Sequence, residues 1–308
     1  MSLLQAPNAV VMIRPHHFRS NPETLADNAY QTAEARPEEA TARAAMAEHD
    51  AAVKALRAHG IAVHVFDDET VDTPDSVFPN NWFSTHSGGR IAVYPMFVEN
   101  RRRERRPDVI EYLKRAYRVQ DVIDYSGLEH DGLALEGTGA MVLDHVNHIA
   151  YVARSRRADP VLLERFCTHF GYEPIVFDAA DAEGKPVYHT NVLMAVASDF
   201  ALIGLDMIAD AARREDIAAR LEETSHDVLA LSPAQIGAFA GNAIELTGHQ
   251  GRLLVLSTTA LAALTPAQIA RIERSATLLP LAIPTLETAG GSVRCMIAGV
   301  HLSPRKGS

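Results

Sequence analysis

From Glu38 to His59, the positions Ala42, Ala45, Met46, His49, Val53 and Leu56 fall at helical spacing on one face. Gly60 closes that helix, and the near-continuous apolar run from Ile61 to Phe66 reads as a buried strand. The same order of helix then strand returns four times. A helix opening near Pro107 leads to a strand at Val122 to Tyr125. One opening at Pro160, with Asp159 placed to cap it, leads to Glu173 to Phe177, and two more open near Ala211 and at Pro266. Proline suits a first helical turn because its missing N–H would have no partner there.

Between these helices lie paired apolar runs: Ala140 to Leu143 with His148 to Ala153, Val192 to Val196 with Phe200 to Leu205, and Ala243 to Leu246 with Leu253 to Leu256. Their lack of polar alternation suits strands covered by helices on one face and packed inward on the other. The unit is therefore ββαβ. Just before the first strand of each unit stands a polar or reactive residue: Asn81, Glu136, His189, Asn242 and Cys295, separated by 55, 53, 53 and 53 residues. Five such units closed around an axis would bring these side chains to one central cavity. The expected fold is α/β, a single pseudosymmetric five-bladed propeller in one domain spanning residues 1–308.

Composition narrows the function. The 308 residues carry 29 Lys plus Arg against 39 Asp plus Glu, a formal charge of −10, which argues against nucleic acid as a partner. The longest apolar runs, such as Ala9 to Ile13 and Phe200 to Leu205, fall far short of the ~20 residues that cross a bilayer, so no membrane partner is expected. Pro15, His16 and His17 interrupt the start too early for a signal peptide, and a cytoplasmic location is expected. Two cysteines, Cys167 and Cys295, provide no disulfide framework. Cys167 falls on an apolar helix face and reads as core; Cys295 follows Gly290-Gly291-Ser292-Val293-Arg294, a glycine turn with an arginine beside the thiol.

A cysteine nucleophile needs a base, and its leaving nitrogen needs an acid, roles that His189 can fill. Glu136, between apolar residues and a glycine turn, is placed to orient His189 or a substrate nitrogen. Cys, His and Glu at matching phases of a repeat point to nucleophilic chemistry at an sp² carbon.

These segments resemble the guanidine-modifying enzymes of the pentein fold, which include arginine deiminase, dimethylarginine dimethylaminohydrolase, agmatine deiminase and the amidinotransferases. Asp75-Ser76-Val77-Phe78-Pro79-Asn80-Asn81 is similar to the dimethylaminohydrolase segment that opens Asp-Ser-Val-Phe and ends in two carboxylates. Glu136-Gly137, His189-Thr190-Asn191 and the loop from Gly290 to Cys295 resemble the family's Glu, His and Cys segments, in the family's order. Arg101-Arg102-Arg103-Glu104 and Ser155-Arg156-Arg157 are similar to segments that bind an α-carboxylate, with Arg102 and Arg157 as candidates.

The pattern departs in charge: Asn80 and Asn81 stand for two carboxylates, Asn191 for an aspartate, and Gly139 for another aspartate. An amide offers donor and acceptor without charge, as a ureido group does. Asn80 and Asn81, the Glu136-Gly137-Thr138-Gly139 turn and Arg14-Pro15 also resemble the citrulline-utilisation hydrolase branch. The resemblance implies a cysteine-dependent hydrolase of a ureido or guanidino amino acid, citrulline foremost, giving ornithine, ammonia and carbon dioxide. Asp75 and Glu136 would hold substrate nitrogens, Asn81 and Asn242 the urea oxygen, and no metal or organic cofactor is required. A homodimer is a further expectation. The alternatives are a deiminase of arginine, dimethylarginine or agmatine, an amidinotransferase, and a non-catalytic amino-acid-binding protein.

Overall fold

A computed structural model describes residues 4–32 and 36–305; both ends of the expected domain, 1 and 308, lie outside them. The strands form five sheets of three strands each. Four use consecutive strands: Phe83–His86, Arg90–Val93 and Asp121–Asp124; Val142–Asp144, Ile149–Ala153 and Glu173–Phe177; Met194–Val196, Phe200–Ile203 and Asp227–Ala230; Ile244–Gly248, Gly251–Ser257 and Thr277–Leu281. In each, the middle strand runs antiparallel to the first and parallel to the third. A parallel pairing cannot be made by a tight turn, so a helix must carry the chain across.

Those crossovers are Pro107–Ala116, Pro160–Phe170, Ala211–Glu223 and the pair Thr258–Ala263 with Pro266–Ile272. Pro107, Pro160 and Pro266 each occupy a first turn. Asp159 accepts from the amides of Val161 and Leu162, and Asp210 from those of Ala212 and Arg213. Each such cap contributes about 1 kcal/mol by satisfying donors the helix leaves open.

The fifth sheet closes the ring. Ala9–Pro15 pairs in parallel with Ala62–Asp68, across the helix Glu38–Ala58, and antiparallel with Ala298–Gly299 near the chain's end. Val10 faces Gly299 and Val11 faces Ala298 in that register. The first strands of neighbouring sheets touch around the axis, which puts the segments that precede them at the centre. Val10, Val11 and Met12, with their counterparts Ala150 to Val152, Ala201 to Ile203 and Leu254 to Leu256, are buried throughout, as strands sandwiched between helices and the axis must be.

At four of the five site positions, all but Asn242, the structure places a short helical turn at or just after the site residue that the apolar pattern does not announce. Gly137–Ala140 and Thr190–Leu193 run into the starts of stretches read above as strand, at Ala140 and at Val192 and Leu193, and Val293–Met296 carries Cys295 itself. Pro79–Asn81 is the equivalent turn in the second blade. Cys167 is core, as its helix face indicates, and Trp82 packs on Phe83 at 4.3 Å between ring centroids rather than lining the central pocket. Among the described residues no helix is long and apolar enough to cross a membrane.

Candidate active site

Cys295 is 2% exposed and its thiol is gripped from one side by two amides. Asn191 Nδ2 donates to Sγ at 3.2 Å and Asn242 Nδ2 at 3.3 Å. Asn242 is itself fixed, because its Nδ2 also donates to Asn191 O and its Oδ1 accepts from the Arg294 amide. The loop that delivers the thiol requires Gly290: its φ is +79°, and a Cβ there would lie 2.5 Å from Asn28 Nδ2.

His189 faces the same pocket. Its Nε2 lies 2.8 Å from Glu136 Oε2. Glu136 is fully buried, and its oxygens also accept from the Phe97 amide at 3.0 Å and from Arg101 Nη1 and Arg157 Nη1, each at 3.4 Å. Burial alone would raise this carboxyl, but Arg157, the His189 hydrogen bond and Arg101 overcome it and hold Glu136 well below the usual range. An ionised carboxylate only accepts, so Nε2 carries the proton in this bond and Nδ1 keeps a lone pair. Burial, reinforced by the two arginines, pushes the imidazole down to about 4 against the pull of Glu136. His189 is therefore a neutral base near neutrality.

The pocket is lined by Asp75, Phe78, Asn81, Arg101, Arg157, Tyr188, His189 and Cys295, with Thr24, Asn28, Ala289 and Gly291 around them. Asp75 Oδ2 accepts from Asn21 Nδ2 at 2.8 Å, while Oδ1 is buried with no partner. Burial raises this carboxyl against the opposing Arg101 guanidinium. An orphaned acceptor here invites a donor. Gly139 is the other required glycine: a Cβ would sit 2.2 Å from Asn81 Nδ2 and 2.8 Å from His189 Nδ1, so the aspartate that related patterns carry has no room.

Five of the candidate residues line the pocket: Cys295, His189, Asp75, Asn81 and Arg157. Glu136 stands behind His189 and orients it; its oxygens are taken up and do not reach for substrate. Asn242, expected at a urea oxygen, donates instead to the sulfur, as does Asn191. Asn80 does not line the pocket; its Oδ1 accepts Asn81 Nδ2 at 3.0 Å, which leaves the Asn81 oxygen for the cavity.

Arg102 requires a correction. Its Nε donates to Met96 O at 3.1 Å and its side chain is one-third exposed, outside the pocket. Arg101 is the buried one, held bidentately by Glu104 at 2.8 and 2.9 Å. In the turn Glu99–Arg102 neighbouring residues point about 100° apart, so a one-residue shift exchanges the inner for the outer face. The rest of the basic run separates into individual ion pairs, Arg105 with Glu129 and Arg106 with Asp108. Sequence reasoning missed Arg101, and also Asn21, Asp27 and Asn28, which reach the site from the segment 17–32. The Arg101 to Glu104 spacing, three residues apart on one helical face, was the available signal for the first; the others had none. Among the described residues, no three His, Cys, Asp or Glu side chains cluster as metal ligands would.

The family model described as N,N dimethylarginine dimethylhydrolase, eukaryotic, matches residues 14–302. No curated protein matches in sequence. Among solved structures, the N-terminal domain of ArgZ, an arginine dihydrolase from the ornithine-ammonia cycle in cyanobacteria, superposes with a TM-score of 0.73 at 13% identity, covering 96% of this chain and 99% of its own. AgrE, solved as a complex with L-arginine, gives 0.75 at 16% identity over 97% of this chain, which spans 41% of AgrE. The dimethylarginine dimethylaminohydrolase of Pseudomonas aeruginosa, complexed with citrulline, gives 0.63 at 14% identity, covering 97% and 99%. The shared architecture is the five-bladed pentein propeller.

Proposed function

Because the chain belongs to the N,N dimethylarginine dimethylhydrolase family, whose members are hydrolases of C–N bonds in amidines, we propose that it is a cysteine-dependent hydrolase of a guanidino amino acid, arginine first among them. The observation that carries this reading is the buried, unpaired Asp75 Oδ1 in the same pocket as Cys295 and His189. A guanidinium has only donors and a positive charge, and Asp75 Oδ1 with the Asn81 oxygen offers only acceptors.

In the first half-reaction, His189 Nδ1 takes the Cys295 proton as Sγ bonds to the central carbon, and returns it to the departing nitrogen, which leaves as ammonia. In the second, His189 Nδ1 deprotonates a water whose oxygen attacks the same carbon. The carbon–sulfur bond breaks, the thiol recovers the proton, and a ureido product leaves. Glu136 keeps the proton on Nε2 throughout, so that Nδ1 is the face presented to both steps.

Citrulline as a substrate in its own right is a second reading, favoured by the amide of Asn81, which lines the pocket where dimethylaminohydrolase-like sequences carry a carboxylate. There the thiol attacks the ureido carbon, ammonia leaves, and water releases a carbamate that loses carbon dioxide to give ornithine. One experiment separates the two: incubate arginine and citrulline separately and identify products by mass spectrometry. Citrulline from arginine supports the first reading, ornithine from citrulline the second, and release of ammonia from neither contradicts both.

A further inference from the structure

Arg157 has its carboxylate-binding edge already filled. The guanidinium lies 4.9 Å from the Tyr188 ring centroid, and Nη1 is 3.4 Å from Glu136 Oε2. The remaining edge, Nε with Nη2, is the flat two-donor fork that matches a carboxylate. Asp27 occupies it, Nε to Oδ2 at 2.9 Å and Nη2 to Oδ1 at 2.6 Å. The Arg157 side chain is 2% exposed and that of Asp27 20%, so the acid closes the fork from the solvent side.

The two arginines of the pocket differ in how they are held. Glu104 lies three residues from Arg101, and both side chains are buried. Asp27 comes from 130 residues away in sequence, on a segment of turns whose Thr24 and Asn28 line the pocket. Asp27 is thus the partially exposed partner, on a segment that contributes to the pocket through Thr24 and Asn28.

We propose that Asp27 is an internal competitor for the substrate's α-carboxylate: it holds the Arg157 fork in the empty site and is displaced when an amino acid binds, setting the site's preference for carboxylate-bearing substrates. This inference rests on the amino-acid reading of the substrate given above. The exchange conserves charge, since one carboxylate leaves the fork as another enters. Arg157 is never left unpaired beside Arg101, which avoids the cost of an uncompensated buried charge.

Asp27→Asn keeps the side chain's shape and removes the competing charge. The ratio of the arginine KM to the agmatine KM, or to the agmatine inhibition constant, falls by about fivefold, the scale of an ion pair with one partly exposed partner. Agmatine lacks the carboxylate, so general damage to the pocket moves both terms and leaves the ratio alone. Asp27→Glu restores the ratio toward wild type. An unchanged or increased ratio in Asp27→Asn overturns the proposal. Should no guanidino or ureido compound be turned over, the proposed function fails while this inference is still read by thermal shift with δ-aminovalerate, a carboxylate with no reacting group. Half-saturation at lower concentration in Asp27→Asn supports it, and equal or weaker binding overturns it.

Discussion

Glu136→Gln changes one buried charge and almost no volume. The wild-type carboxylate receives four donors: the Phe97 amide, His189 Nε2, Arg101 Nη1 and Arg157 Nη1. A glutamine can accept at one oxygen only, and its NH₂ must face either the Phe97 amide or the cluster of His189 and the two guanidiniums, a donor against donors. Removing one partner of a buried charge network typically costs about 3–5 kcal/mol. At that scale the unfolding midpoint falls by about 5–8 °C for a chain of this size. His189 also loses the acceptor that keeps its proton on Nε2, and turnover falls by about 10²–10⁴.

The pH dependence separates charge from shape. Glu136 has a folded pKa depressed below its unfolded value, so its contribution is present above ~4.3 and lost as pH falls toward the folded value. The stability gap between wild type and Glu136→Gln, read from urea unfolding, is therefore widest near neutrality and narrows below pH ~4. A gap that stays constant with pH, or a variant within 1 kcal/mol of wild type (about the error of a careful comparison), would refute the electrostatic role assigned to this residue.

Other expected outcomes follow from single contacts. Arg101→Ala abolishes detectable turnover or raises KM by about 10²-fold or more, because it removes a buried guanidinium from the pocket and strands Glu104, whereas Arg102→Ala changes kcat/KM by less than about threefold; steady-state kinetics with arginine check the pair. Gly139→Ala forces Asn81 and His189 apart, since its Cβ would lie 2.2 Å from Asn81 Nδ2, and lowers kcat by at least about tenfold with little loss of far-ultraviolet circular dichroism. His301 and His49 are pushed down to about 4 by burial, and His86 and His145 lie well below their ordinary value for the same reason. Their folded pKa values are depressed, so protons bind the unfolded chain first. Stability is lost as pH falls from ~6.5 toward 4, by about 1 kcal/mol per pH unit for each histidine near pH 5. Equal urea midpoints at pH ~7 and ~5 would contradict this.

Much of the fold is written locally. The prolines at 107, 160 and 266 mark helix starts because each lacks a donor that the first turn would waste, and Asp159 caps as its position suggests. Glu173–Phe177 is a strand because its apolar run is too short for anything else between a helix and a turn. The short helical turns at Gly137–Ala140 and Thr190–Leu193 stayed hidden because Ala140 and Val192 are apolar in either conformation, and four residues carry no helical period. The closing pairing of Val10 and Val11 with Gly299 and Ala298 joins opposite ends of the chain, a contact no local pattern encodes.

The site divides along the same line. Cys295, His189, Glu136 and Asp75 were legible because the repeat puts them at one phase or a motif frames them. Arg101 was missed by one position because a run of five arginines within six residues hides which one faces inward. Asp27 and Asn21 act across the fold, on Arg157 and Asp75, from a segment whose own composition suggests only turns.

The central claim is that Cys295 forms a covalent bond to the substrate's central carbon. The most direct measurement is rapid acid quench of the enzyme turning over arginine, followed by peptide mass spectrometry. A mass increase on the peptide containing Cys295, absent from the Cys167 peptide and from enzyme quenched without substrate, is the expected result, together with loss of all ammonia release in Cys295→Ala. Ammonia release that persists in Cys295→Ala would contradict the mechanism.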